Sequence, residues 1–216
     1  MDYSPILILG ALGFTVALVL TGIHCFPGFE SVHSGNGACE DPKQNPENIS
    51  AVIYCAGGNN CSDKYAYQGV ETCFAASKIF RGKKECIYGC IGFGDCAQAC
   101  AEGAISHVKG EIPAVNKNTC TGCGLCVSAC PKKIISLVPS KYDVHIKCSS
   151  LNAGRYVREI CATGCISCGI CVKICPTKAI KIENNLAVVN YNKCSNCGLC
   201  VERCPANTIE RILPVV

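Results

Sequence analysis

Tryptophan is absent from the 216 residues, methionine occurs once, and all aromatics together make up 6% of the chain. With 21 glycines beside them, these figures leave little bulky apolar material for one large core. Charge is scarce as well. Only 17% of residues are charged, and 20 Lys plus Arg against 16 Asp plus Glu give a formal net charge of +4, spread along the chain rather than gathered in a tail. That distribution gives no support to nucleic-acid binding. The phosphate-loop order G-x4-G-K-[ST] is missing, and Gly89, Gly92 and Gly94 follow no evident strand in dinucleotide-binding order. No Ser-His-Asp or Cys-His constellation stands out, and His24, His33, His107 and His145 are isolated enough that surface or core roles outweigh ligation. No catalytic substrate site is evident in this chain alone.

What the chain has in abundance is cysteine, 23 residues of it, a density found in disulfide scaffolds and metal-cluster proteins. The odd count, the crowded C-x2-C spacings and the lack of a convincing export signal favour reduced, metal-binding thiols.

From Tyr3 to Ile23 the sequence YSPILILGALGFTVALVLTGI carries no charge, and as a helix it would reach about 31 Å, enough to span a bilayer core. A single N-terminal transmembrane helix is expected, with the anchor over 1–25. A cleaved signal peptide would need a positive start, which MDYSP is not, and a small-x-small cleavage site. A lipoprotein anchor at Cys25 is disfavoured by Ile23-His24 before it. Every Lys and Arg lies C-terminal to the span, so the positive-inside tendency puts the remaining residues on the cytoplasmic side of the cell (inner) membrane. Gly13 and Ala17 form a small-x3-small pair, although such residues are common in membrane helices anyway.

Residues 26–50, with several Pro, Gly and Asn, read as an irregular tether, and 51–85 as a Cys-containing segment. Beyond them lies a repeat of about 75 residues. CIYGCIGFGDCAQACAEGAI at 86–105 recurs as CATGCISCGICVKICPTKAI at 161–180, and NKNTCTGCGLCVSACPKKII at 116–135 recurs as NYNKCSNCGLCVERCPANTI at 190–209. Each copy is two half-repeats, a cysteine loop and short helix followed by short strands such as 180–183 and 187–190 around Asn184-Asn185. The expected fold is α+β: two tandem bacterial-ferredoxin-like modules over 86–138 and 161–213, joined by a connector over 139–160. A weaker echo precedes each module, where Val52-Ile53-Tyr54-Cys55 resembles His145-Ile146-Lys147-Cys148 and suggests a strand ending at a cysteine.

Three runs fit C-x2-C-x2-C-x3-C followed by Pro: Cys120, Cys123, Cys126 and Cys130; Cys165, Cys168, Cys171 and Cys175; Cys194, Cys197, Cys200 and Cys204. Thiolates two residues apart wrap three corners of a cubane, while the fourth points away to a second cluster. One [4Fe-4S] cluster is therefore expected on Cys165, Cys168, Cys171 and Cys204, and its neighbour on Cys194, Cys197, Cys200 and Cys175. In the first module Cys120, Cys123, Cys126 and Cys100 complete a third. The remaining motif carries Phe93 where its middle ligand belongs. Cys86 is a candidate replacement, giving Cys86, Cys90, Cys96 and Cys130. The alternatives are a three-iron cluster or Asp95 as a non-cysteine ligand, because Cys161 holds the place of Cys86 in a module that lacks nothing.

Seven cysteines lie outside these sets: Cys25, Cys39, Cys55, Cys61, Cys73, Cys148 and Cys161. Cys55, Cys61 and Cys73, with a fourth ligand from Cys148, Cys161 or Cys86, would make a fifth cluster beyond the four motif clusters. The simpler reading is buried thiols acting as small apolar side chains. Zinc suits separated C-x2-C pairs better than four thiolates in an eleven-residue run.

Several cubanes with no substrate motif make an electron wire. An uncharged N-terminal stretch, then YCAGGNNCSDKYAYQGVETCFAAS, CIYGCIGFGDC and two ferredoxin modules, resembles the B subunit of Rnf-type ion-translocating ferredoxin:NAD+ oxidoreductases, in the multi-cluster form of anaerobes, over roughly residues 51–213. The resemblance implies a subunit that takes electrons from reduced soluble ferredoxin and feeds membrane and flavin-bearing subunits of a complex that moves Na+ or H+. One departure stands out: the family carries C-x2-C-x4-C and a later Cys between helix and modules, where this chain has only Cys25 and Cys39. The alternatives are an iron-sulfur subunit of another membrane oxidoreductase, of formate dehydrogenase or hydrogenase type, and a zinc-stabilised interaction protein. Arg81, Lys83 and Lys84, with Lys132 and Lys133, suit either an acidic redox partner or a solvated face.

Overall fold

The computed structural model describes residues 48–212. The expected anchor over 1–25, the tether before residue 48, and Cys25 and Cys39 lie outside the described residues. Among the described residues no helix is long and apolar enough to cross a membrane.

The chain builds the order β-α-α-β-β-α-β twice. In the first half these are β1 (Ile49–Ile53), α1 (Cys73–Lys78), α2 (Asp95–Gln98), β2 (Ile105–Ser106), β3 (Ala114–Val115), α3 (Leu125–Ala129) and β4 (Ile135–Pro139). In the second they are β5 (Val144–Ile146), α4 (Gly154–Ile160), α5 (Ile170–Ile174), β6 (Ile180–Glu183), β7 (Leu186–Val189), α6 (Leu199–Glu202) and β8 (Ile209–Arg211). All pairs are antiparallel ribbons: β1 with β4, β2 with β3, β5 with β8, β6 with β7. The first and last strands of each half therefore close on each other, Ile53 facing Ile135 and Ile146 facing Ile209. The strands before Cys55 and Cys148 are structural members of their halves, which thus begin upstream of the cysteine repeats.

Local chemistry explains these short elements. Asn184 and Asn185 take left-handed φ of 47° and 65°, as a two-residue hairpin with matching twist requires, and join β6 to β7. Each cysteine-loop helix starts after a left-handed glycine: Gly94, Gly124, Gly169 and Gly198, with φ between 73° and 86°. That reversal lets the loop curl and then launch a helix of only four or five residues. The apolar interior is correspondingly small. Ile53, Ile105, Ile134 and Ile135 form one cluster and Val144, Ile146, Ile180 and Ile209 another, each completed by cysteines rather than aromatics.

Short polar links stitch the halves together. Ser62 N–H donates to the Ile160 carbonyl at 2.9 Å and Ala162 N–H to that of Asn60 at 2.9 Å, flanking an antiparallel bridge between Cys61 and Cys161. The hydroxyls of Ser149 and Thr163 donate to the carbonyls of Tyr54 and Ala56, each at 2.8 Å.

Candidate iron-sulfur sites

The motif cysteines come together in the interlocked sets that their spacing predicts. Cys165, Cys168, Cys171 and Cys204 line one cavity, and Cys100, Cys120, Cys123 and Cys126 another. Cys200 lies within electrostatic reach of Cys194, Cys197 and Cys175. The fourth cysteine of each crossing set is held by its own turn. Amide N–H groups of Ala104, Ala179 and Thr208 donate to the sulfurs of Cys100, Cys175 and Cys204, each at 3.3 Å.

Around the Phe93 gap the structure differs from the spacing argument. Cys90, Cys96 and Cys130 line a cavity whose fourth cysteine is Cys73, at the start of α1. Phe93 is buried, stacks on Tyr67 with ring centroids 5.4 Å apart, and packs beside Cys73 and Ala76. A ring cannot ligate, but it makes the wall that seats the incoming helix. Asp95 fixes that helix: its two carboxylate oxygens accept the N–H groups of Cys73 at 2.7 Å and Phe74 at 3.0 Å, and the Thr72 hydroxyl accepts Ala75 N–H at 3.1 Å. Asp95 thus serves as a helix cap on the rim of this cavity, with both carboxylate oxygens engaged. Cys86 turns to a different cavity, because its strand-like stretch runs beside Asp63 and Cys61. Spacing did not reveal Cys73, which lies 17 positions before Cys90 with a folded segment between; Thr72 before an apolar run was the only local sign of a helix start.

That other cavity lies where the halves meet. It is lined by Cys55, Cys61, Cys86, Cys90, Cys148 and Cys161. The four lined cavities have volumes of about 320 to 410 Å³, mouths included. Cys55 and Cys148 are counterparts in the repeat: each sulfur accepts the N–H two residues on and the N–H that opens the next motif, Cys90 or Cys165, at 3.4 Å. Cys55 and Cys61 each lie within electrostatic reach of Cys86 and Cys161, whereas Cys148 faces Cys165 and Cys55. Of the candidates for an extra cluster, Cys55, Cys61, Cys148 and Cys161 line this cavity, and Cys73 lines the neighbouring one.

The electrostatics suit a multi-iron group. Burial, reinforced by neighbouring sulfurs, pushes the Cys96 thiol up to about 12 and those of Cys171 and Cys200 up to about 11. Such sets cannot ionise together in the absence of bound positive charge, which iron supplies. The contact between Cys61 and Cys161 raises the pKa of the first thiol and lowers that of the second, so the pair favours a single shared proton. Two buried lysines also line the central cavity. Lys84 donates to the Cys61 carbonyl and pairs with Asp63, both at 3.0 Å, while Lys147 has Glu210 at 4.0 Å. Their charge offsets that of a thiolate cluster. Among the described residues no three His, Cys, Asp or Glu converge on a single ion. Zinc usually draws on two separated pairs of thiolates, whereas these runs bring four sulfurs to one cavity, which suits a cubane better.

Comparison with known proteins agrees with this chemistry. The model of the 4Fe-4S dicluster domain matches residues 85–140 and 164–208. The chain is 41% identical over 144 residues to the B subunit of the Na(+)-translocating ferredoxin:NAD(+) oxidoreductase complex of Acetobacterium woodii, covering 66% of this chain and 43% of that protein. It is 40% identical over 160 residues to the B subunit of the ion-translocating oxidoreductase complex of Methanosarcina acetivorans, covering 74% and 59%. It is 39% identical over 169 residues to the B subunit of the proton-translocating ferredoxin:NAD(+) oxidoreductase complex of Clostridium ljungdahlii, covering 77% and 59%. The matched segments thus span about half of those relatives' length. With cysteines placed to hold [4Fe-4S] clusters and this likeness across both halves, the chain is a homologue of the B subunits of Rnf-type ion-translocating oxidoreductase complexes.

Proposed function

We propose that this chain carries electrons through five [4Fe-4S] clusters, from reduced soluble ferredoxin to the membrane and flavin-bearing subunits of a ferredoxin:NAD+ oxidoreductase that moves Na+ or H+. The observation that carries this reading is the continuity of the cysteine cavities. Cys90 lines both the Phe93-gap cavity and the central one, and Cys148 on the central wall accepts the N–H of Cys165 in the next. The proposed ligand sets are Cys73, Cys90, Cys96 and Cys130 for the gap cluster, and Cys55, Cys61, Cys86 and Cys161 for the central one. The other three are the motif sets. Cubanes exchange single electrons with little change of shape, and amide hydrogen bonds to sulfur help set their potentials. The protein's own task is to hold the sulfurs, keep water out with its isoleucine clusters and place one site beside the next.

The relatives' names give sodium for one complex and protons for another, so the likeness leaves either ion to the complex this chain serves. The chain would sit at the cytoplasmic face of the membrane with the complex. Iron and acid-labile sulfide on anaerobically purified protein test the reading: about 20 irons per chain are expected, with matching sulfide. About 16 would remove the central cluster, and little iron with stoichiometric zinc would sink the wire.

A further inference from the structure

The segment around α1 is built as a display. Val70, Phe74 and Phe80 are 68%, 63% and 77% exposed, an unusual outlay of large apolar side chains for a chain with so few aromatics. Phe80 and Arg81 both have left-handed φ, 46° and 61°, although each carries a Cβ that penalises it. Their tip is pinned from three directions. Lys64 Nζ donates to the Phe80 carbonyl at 3.2 Å, Tyr65 Oη to that of Ile79 at 3.0 Å, and Lys132 Nζ to that of Arg81 at 2.7 Å. Tyr65 also meets the Phe80 ring edge-on at 6.2 Å. A strained loop held this firmly keeps Phe80 out in solvent instead of letting it fold back.

The rim of this display is basic. Lys78 lies over the Phe74 ring at 4.7 Å, Arg81 is exposed, and Lys83 reaches over the Phe93 ring at 5.5 Å. The nearby carboxylates are engaged, Glu71 with Lys109 and Asp63 with Lys84. Directly beneath lies Cys73, the residue before Phe74 and the ligand assigned to the gap cluster.

The geometry points to this surface, Phe74 and Phe80 ringed by Lys78, Arg81 and Lys83, as the dock where an acidic iron-sulfur donor protein delivers electrons to the cluster on Cys73. The assignment rests on the reading of the chain as an electron carrier with a soluble donor. An apolar centre provides close approach without directional demands, and a basic rim steers an acidic partner and sets how the rate depends on salt.

The test uses the intact complex in membranes and reduced acidic ferredoxin as probe, with cluster reduction followed by stopped-flow absorbance across ionic strengths. Lys78→Glu with Arg81→Glu should slow the second-order reduction by about ten-fold or more at low salt and reverse its salt dependence. Phe80→Ala should slow it at all salts. Iron content, potentials and reduction by dithionite should stay as in wild type, and Arg155→Glu with Arg158→Glu on α4 should have no effect. Wild-type rates in the patch variants would overturn the dock, and slowing by the α4 variant in their place would move it to the second half. Loss of partner subunits on purification of the patch variants would make the surface a subunit interface and overturn it equally. A wild-type complex reduced by dithionite but never by ferredoxin would bring down the donor reading itself, and the dock with it.

Discussion

At the residue scale, single cysteines separate the proposed sites. Cys73→Ser should cost about four irons or leave a three-iron centre, visible by electron paramagnetic resonance, while leaving the central cluster's signal in place. Cys86→Ser should do the reverse. Cys148→Ser should keep the full iron content, because Cys148 is outside the proposed ligand sets and its nearest sulfur neighbours are Cys165 and Cys55. His145 gives a pH dependence. It is fully buried, with Nδ1 against the Tyr191 hydroxyl at 2.8 Å, and burial, with Lys117 and Lys147 beside it, lowers its pKa to about 4. The unfolded chain binds that proton near pH 6.5, so stability from the neutral imidazole is present above 6.5 and lost as pH falls toward 4. Between pH 8 and pH 5 the loss should be about 2 kcal/mol, read from denaturant midpoints of the anaerobic holoprotein. His145→Gln should flatten that slope, and an unchanged slope would remove His145 as its source.

At the scale of elements, the turns that open the cysteine helices make graded demands. A Cβ on Gly94 would lie 2.4 Å from Nδ1 of His107, whose Nε2 is engaged with the Gly92 carbonyl at 2.9 Å, while one on Gly169 meets nothing within 4 Å. Both positions are left-handed. Gly169→Ala should therefore cost about 1 kcal/mol, from backbone strain alone, and Gly94→Ala about 2 to 3. Equal midpoints for the two would mean that His107 yields freely. The cysteine loops, their helices and the hairpin at Asn184-Asn185 were legible in the sequence because each is fixed by neighbours a few positions apart. The partner of β1 was not, since β4 lies more than 80 residues on and only shared burial of Ile53 and Ile135 joins them. The same holds for Cys73: a spacing argument sees ligands in one loop and cannot see a helix brought in by the Asp95 carboxylate.

At the scale of the whole molecule, the two halves behave as one body because the segments before the second-half motifs bind those before the first. Cleavage at a protease site introduced between Ser140 and Lys141 should leave the pieces co-eluting with their iron intact, held by the Cys61–Cys161 bridge region and the Tyr54 and Ala56 contacts. Pieces that part on a sizing column would show that the stitching is too weak to act alone. That bridge also has a consequence in time. Cys61 and Cys161 are 100 positions apart, so a ribosome has made the first half's ligands long before the central cage exists. The first-half motif sites can accept iron while the chain is still growing, but the central one waits for synthesis to pass residue 161. Metal delivery to the proposed sites therefore has a built-in order, with the link between the halves the last to be completed.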